Sequence, residues 1–150
     1  MKYYVLKKEQ FIPRPLKEVF AFYERPENLA RITPPWLGFR IVTPSPIVMR
    51  QGALFEYTIR VMGTRLRWIS VISAYEPPFK FIDEQIKGPY AYWHHTHTFA
   101  EAKDGTMVGD EVRYALPFGP LGSLAQRIAV RRQLEKVFTY RAEVCKSIFG

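Results

Sequence analysis

Between Phe39 and Pro117 the chain is broken at short intervals by Gly52, Gly63, Pro77-Pro78, Gly88-Pro89, Asp104-Gly105 and Pro117, whereas Ser123 to Phe149 contains neither glycine nor proline. The first pattern predicts roughly six strands joined by short turns, with no room for the crossover helices that parallel strands require. The second stretch is rich in Ala, Leu, Arg, Gln, Glu and Lys, and predicts one long terminal helix. Ahead of both, residues 3–12 alternate as a strand that Pro13 ends, because proline has no N–H to offer a sheet. Leu16, Val19, Phe20 and Tyr23 then recur at helical spacing, and residues 28–32 predict a second short helical piece before the stiff Thr33-Pro34-Pro35-Trp36 segment. The expectation is an α+β fold: a curved antiparallel sheet of about seven strands around a long C-terminal helix, with two short helices after strand one.

A chain of 150 residues that is 47% hydrophobic can bury one sizeable core and is too short for two ordinary domains, so residues 1–150 are read as a single domain. The formal charge of +8 suits an acidic partner, but the basic residues are dispersed and interleaved with acids. Lys7 and Lys8, Arg65 and Arg67, and Arg127, Arg131 and Arg132 fall in different predicted elements, so nucleic acid is not expected as a partner. Cys145 is the only cysteine, which excludes an internal disulfide and fits a reducing, cytoplasmic setting. No segment reads as a signal peptide or a membrane span. A monomer or a homodimer is expected.

On the terminal helix, Leu124, Ile128, Phe138, Ala142, Cys145 and Phe149 fall within one apolar stripe, and Arg131 and Glu135 intrude into it. A charged pair on a packed face needs partners or water, which a wet cavity would supply. The alternative is a rotated helix in which Leu134 and Val137 face inward and Arg131 reaches solvent along its stem.

The segments Trp68 to Tyr75, Pro77-Pro78, Phe81-x-Asp83-x-Gln85, Gly88-Pro89-Tyr90, Trp93-x-His95-x-His97-x-Phe99, Val108-x-Asp110 and Leu116 to Gly122 carry a resemblance over essentially the whole chain. In these motifs and in element order the sequence resembles the START-like, or SRPBCC, superfamily of helix-grip domains, in its bacterial cyclase/dehydrase-like, ligand-binding branch. The resemblance implies a mainly apolar pocket between sheet and terminal helix, used by relatives for lipids, sterols, polyketides and other hydrophobic molecules. It implies no single reaction, since some relatives are enzymes and others carry or sense ligands. It also puts Trp36 near a pocket entrance, and Tyr140-Arg141 looks like the family pattern, although such a pair usually reads as a solvated flank.

Strand alternation puts Trp93, His95, His97 and Phe99 on one face, with Phe81, Asp83 and Gln85 sharing a face of the preceding strand and Asp110 and Tyr114 one of the next. Trp36, Trp68, Phe81, Trp93 and Phe99 are therefore candidate apolar contacts for a ligand. Asp83, Gln85, His95, His97, Asp110, Tyr114 and Arg131 are the candidates for its polar end. Catalytic residues are not fixed by the sequence; His95 and His97, oriented by Asp83 or Asp110, are the candidates for acid–base chemistry. The bland reading of the same groups is a mutually satisfied inner network that turns nothing over. His-x-His on a strand is permissive for a metal but unspecific, and neither a metal nor another cofactor is expected.

Three functions follow. The first is binding of a small hydrophobic ligand of lipid, polyketide or aromatic type in the cavity. The alternative is a cyclase/dehydrase-type enzyme in which a histidine moves a proton while Tyr114 or Arg131 stabilises charge. The third is an interaction module whose basic surface meets an acidic partner, a membrane face or nucleic acid. No nucleophile elbow, phosphate-binding glycine loop or reactive cysteine motif points to other enzyme classes.

Overall fold

The structure is a computed structural model that describes all 150 residues. The elements are β1 (Tyr4–Ile12), α1 (Leu16–Tyr23), α2 (Pro26–Leu29), a 3-10 turn (Pro35–Leu37), β2 (Arg40–Ile41), β3 (Leu54–Val61), β4 (Thr64–Glu76), β5 (Lys80–Lys87), β6 (Tyr92–Ala102) and β7 (Gly105–Ala115). A continuous terminal helix follows, made of α3 (Gly119–Ala125), a π turn (Gln126–Val130) and α4 (Arg131–Phe149).

All seven strands form one antiparallel sheet in the order β1-β7-β6-β5-β4-β3-β2. Every neighbour but one is a sequence neighbour, since short connections return β4 to β7 each alongside its predecessor and residues 42–53 return β3 beside β2; the exception is β1, which closes against β7. The β3–β4 turn uses Met62 and Gly63, both at positive φ, the backbone geometry whose twist matches a two-residue hairpin. Asp104, also at positive φ, stands in the β6–β7 turn, and Gly105 opens β7. The predicted sheet, two short helices and terminal helix are all present, with two boundaries moved. The second short helix spans Pro26–Leu29 rather than residues 28–32, because Pro26 fits the first turn of a helix, where its missing N–H costs nothing.

The terminal helix begins at Gly119 rather than Ser123, again with a proline, Pro120, in its first turn. Gly122 lets it start so early: a Cβ there would strike the Pro117 carbonyl oxygen and press on Leu116. The expected apolar stripe holds only over the second half. Phe138, Cys145 and Phe149 are buried, but Leu124 and Ile128 are exposed, and Gly122 and Gln126 take the sheet-facing positions in the first half. The π turn inserts wider winding between the two halves, which shifts the face that meets the sheet. Leu134 is buried, and Arg131 reaches back to the unpaired edge of β1, donating through Nη1 to the Val5 carbonyl at 2.8 Å and pairing with Glu135 at 3.4 Å.

The core runs along the concave side of the sheet. One cluster joins α1 and the end of α4 to the middle of the sheet through Val19, Phe20, Phe81, Phe99, Cys145 and Phe149. A second gathers Phe55, Tyr57, Trp68 and Ile72 on β3 and β4, and a third joins Leu6, Val112 and Tyr114 to Leu134 and Phe138. No helix is long and apolar enough to cross a membrane.

Candidate functional site

Strand β6 lies between β5 and β7, so its inward side chains meet those of both neighbours. Pairing is regular from His95 to Phe99: His95 stands opposite Asp83 on one side and Val112 on the other, and His97 opposite Phe81 and Asp110. The hydrogen bonds run diagonally. His97 Nε2 donates to Asp83 Oδ2 at 2.5 Å and His95 Nε2 donates to Asp110 Oδ1 at 2.7 Å. The directly opposite contacts are longer, His95 Nδ1 to Asp83 at 3.8 Å and His97 Nδ1 to Asp110 at 3.6 Å. The imidazoles stack with centroids 3.7 Å apart, Phe81 covers His97 at 4.1 Å, and Phe138 meets His95 edge-on. Two His–Asp pairs are thus locked in one buried aromatic stack.

Because a carboxylate can only accept, each histidine donates a proton from Nε2. Burial pushes the Asp83 carboxyl up, but the His97 hydrogen bond and the positive potential of both imidazoles and Arg141 outweigh it, and the net direction is down. The same balance, with His95 as hydrogen-bond partner, brings Asp110 to about 2. Burial and the neighbouring His95 lower His97 against the pull of its carboxylate partners. The cluster therefore holds two carboxylates and, at His97, a neutral base.

A cavity of about 100 Å³ opens beside the stack. Leu29, Ile32, Phe55, Ile72, Phe81 and Trp93 belong to its apolar wall, Asp83, His95 and His97 to its polar end, and exposed Arg25 and half-buried Asn28 to its lining at the α1–α2 junction. From α4, Arg141 enters the wall with its guanidinium 4.9 Å from the centre of the Phe138 ring. Its Nε is buried and finds no acceptor among the protein's atoms. Tyr23 stands beside it, hydrogen-bonded to Cys145 Sγ at 3.0 Å, its phenol pushed far up by burial and by Cys145. Arg141 and Tyr23 also line a second, polar cleft between β1 and α4, which Asp110 faces.

The sequence-derived candidates separate into three groups. Asp83, His95, His97, Phe81 and Trp93 line the cavity, and Asp110 and Phe99 support it from behind, the latter packed on Phe20 and Tyr23. Trp68 and Tyr114 are buried elsewhere: Trp68 Nε1 donates to Ser70 Oγ at 3.0 Å, and Tyr114 donates its hydroxyl to Gln126 at 2.9 Å. Three lie away from it. Gln85 clamps the β5–β6 turn through both the N–H and the carbonyl of Tyr90, Trp36 is half-exposed against Tyr140, and Arg131 sits at the β1 edge. Most of the cavity wall is absent from the sequence-derived candidates: Leu29 and Ile32 after α1, Phe55 and Ile72 on β3 and β4, and, on the polar side, Arg141. The signal for Arg141 is spacing: it lies three residues after Phe138 and four before Cys145, on the face those two bury.

Asp83, His95 and His97 also bring donor atoms within 4.8 Å of one another, close enough to suggest a metal. The chemistry of the site fits a cation poorly, since His97 would have to release Asp83 and the fixed charge of Arg141 already stands in the same wall.

The antiparallel sheet and the long helix packed on it define a helix-grip domain of the START-like class. The chain belongs to the family described as "Polyketide cyclase / dehydrase and lipid transport", whose profile matches residues 12–138. Solved structures share the fold at low identity. The protein TTHA0849 from Thermus thermophilus aligns over 98% of this chain and 100% of its own, with a TM-score of 0.68 and 16% identity. Protein Ms6760 from Mycobacterium smegmatis aligns over 96% and 89%, with 0.69 and 14%. The di-domain ARO/CYC StfQ of the steffimycin biosynthetic pathway aligns over 98% of this chain and 50% of its own, with 0.71 and 13%. Among curated protein sequences none matches.

Proposed function

We propose that the protein binds a compact, mainly apolar molecule with a neutral oxygen at one end, seated in the cavity beside His95, His97 and Arg141. The observation that carries this reading is the buried Arg141 Nε–H, without an acceptor among the protein's atoms, on a residue that lines the cavity together with Asp83, His95 and His97. Leaving such a donor unpaired costs on the order of 1–3 kcal/mol, which a ligand carbonyl or hydroxyl would recover. With two carboxylates in the cluster, a ligand carboxylate would meet like charge, so the polar end is uncharged. A hydroxyl there can also donate to Nδ1 of the neutral His97.

A volume of about 100 Å³ is small beside the roughly 300–1,000 Å³ of drug-sized sites, so a ring-bearing ligand must displace side chains. Met49 is the wall residue best able to yield, being flexible and carried on the segment between β2 and β3 that has no regular structure. The family description and the ARO/CYC neighbour are consistent with an aromatic or polyketide-like ligand. With its single thiol buried, the chain suits a reducing cytoplasm.

The test is native mass spectrometry of purified protein with extraction of any bound small molecule, then titration of that molecule, or of a panel of phenols and cyclic ketones, into wild type and Arg141→Met. A loss of affinity of about tenfold or more in the variant is expected for one lost charge-assisted hydrogen bond. Equal affinity would end this reading.

A second reading is proton transfer to or from the ligand, as in a cyclase or dehydrase. His97 favours it, as a neutral imidazole oriented by Asp83 beside the cavity. Turnover abolished in His97→Gln while binding persists would establish it; binding without turnover in wild type leaves a carrier.

A further inference from the structure

The terminal helix presents an apolar stripe outward over its first half. Phe118 is 81% exposed, Leu121 72%, Leu124 49% and Ile128 63%, and the last three follow one another at three- and four-residue steps. Other exposed apolar side chains are scattered over strands and loops, among them Phe11 on β1, Val48 between β2 and β3, and Ile86 on β5. The stripe is not a face waiting for its own sheet. Gly122 and Gln126 already occupy the inward positions, and Gln126 is tied to the core by the Tyr114 hydroxyl.

The unpaired charge beside the stripe is positive. Arg113 and Arg131 are paired with Glu111 and Glu135, whereas Arg127 and Arg132 take part in no ion pair. Arg127 and Arg132 are exposed on the helix itself. We infer that the Phe118–Arg132 segment docks the protein on an anionic lipid bilayer, its apolar side chains entering the interface and its arginines meeting the headgroups. An amphipathic helix with large apolar residues on one side and arginines beside them lies in the interfacial plane of such a membrane. Each basic residue near the surface adds to the attraction of the anionic leaflet. A second copy of the chain fits less well, because two such segments face to face bring the exposed Arg127 and Arg132 of both copies together. This inference is independent of what the cavity holds.

Flotation of the purified full chain with phosphatidylcholine vesicles, with and without phosphatidylglycerol, tests it. Wild type is expected to float with the anionic vesicles, less so as salt rises, and to stay behind with the neutral ones. The double variant Leu121→Glu/Ile128→Glu is expected to lose about tenfold or more of that binding, with an unchanged thermal melting curve because neither side chain is buried. Arg127→Gln/Arg132→Gln is expected to weaken binding and flatten its salt dependence. Absence of wild-type flotation, or equal flotation of the Leu121/Ile128 variant, overturns the assignment. So does sedimentation of wild type as a dimer that these two substitutions dissociate, which would give the stripe to self-association.

Discussion

The terminal helix has two halves of similar apolar content and opposite fate. In α3 and the π turn, the large apolar residues Leu121, Leu124 and Ile128 look outward while a glycine and a glutamine face the sheet. In α4, Leu134, Phe138, Cys145 and Phe149 face inward, and one arginine among them enters the cavity wall. What separates them is the winding at Gln126–Val130, not hydrophobicity. A helix face is chosen by what the sheet offers it. Over the π turn that is the Tyr114 hydroxyl, which needs a polar partner, and over α4 it is the His–Asp stack, which needs an apolar lid.

The contrast is broken most strongly at Phe138. Phe138→Ala should cost about 3–5 kcal/mol in urea unfolding, by cavity formation beside His95, whereas Leu121→Ala should stay within about 0.5 kcal/mol. Equal costs would mean that α3 is packed in solution.

Acid should sharpen it next. Asp110, held near 2 against an ordinary 3.8, contributes stability present above 3.8 and lost as pH falls towards 2, on the order of 2 kcal/mol. Asp83 is lowered and acts in the same direction. His97, lowered from 6.5, resists protonation in the folded state, so stability already begins to decline as pH drops below about 6.5. A melting temperature that stays flat from pH 7 to pH 3 would contradict the buried network. In Asp110→Asn the decline between 3.8 and 2 should shrink.

A smaller effect probes the inward side of the π turn. Gln126→Leu leaves the fully buried Tyr114 hydroxyl without its acceptor and should cost about 1–3 kcal/mol, with Tyr114→Phe restoring most of the loss in the double variant. Smallest of all, Lys8→Ala removes a half-exposed ion pair to Glu135 on α4 and should cost no more than about 1 kcal/mol, measured by the same unfolding.

The site is legible in the sequence where strands are regular. Alternation puts His95 and His97 on one face, and nothing between His95 and Phe99 disturbs it, so both histidines arrive where Asp83 and Asp110 can meet them. Alternation cannot say which carboxylate each histidine takes. Facing residues suggest His95 with Asp83, yet the bonds cross to the diagonal partner, within reach of long side chains across a sheet. Arg131 and Arg141 show the limit on the helix. The winding that turns Leu124 outward also leaves Arg131 at the β1 edge, while Arg141 reaches the cavity from among the buried residues.

Element order, the antiparallel sheet and its gripping helix follow from the amino-acid sequence alone, because glycine and proline placement and side-chain period are local properties that short turns convert directly into topology. The helix phase, the crossed His–Asp pairing and the orphaned Arg141 donor arise only in the folded molecule. Each depends on groups distant in the chain that become neighbours when the sheet curves around α4, where burial makes every unpaired polar atom costly enough to dictate the arrangement.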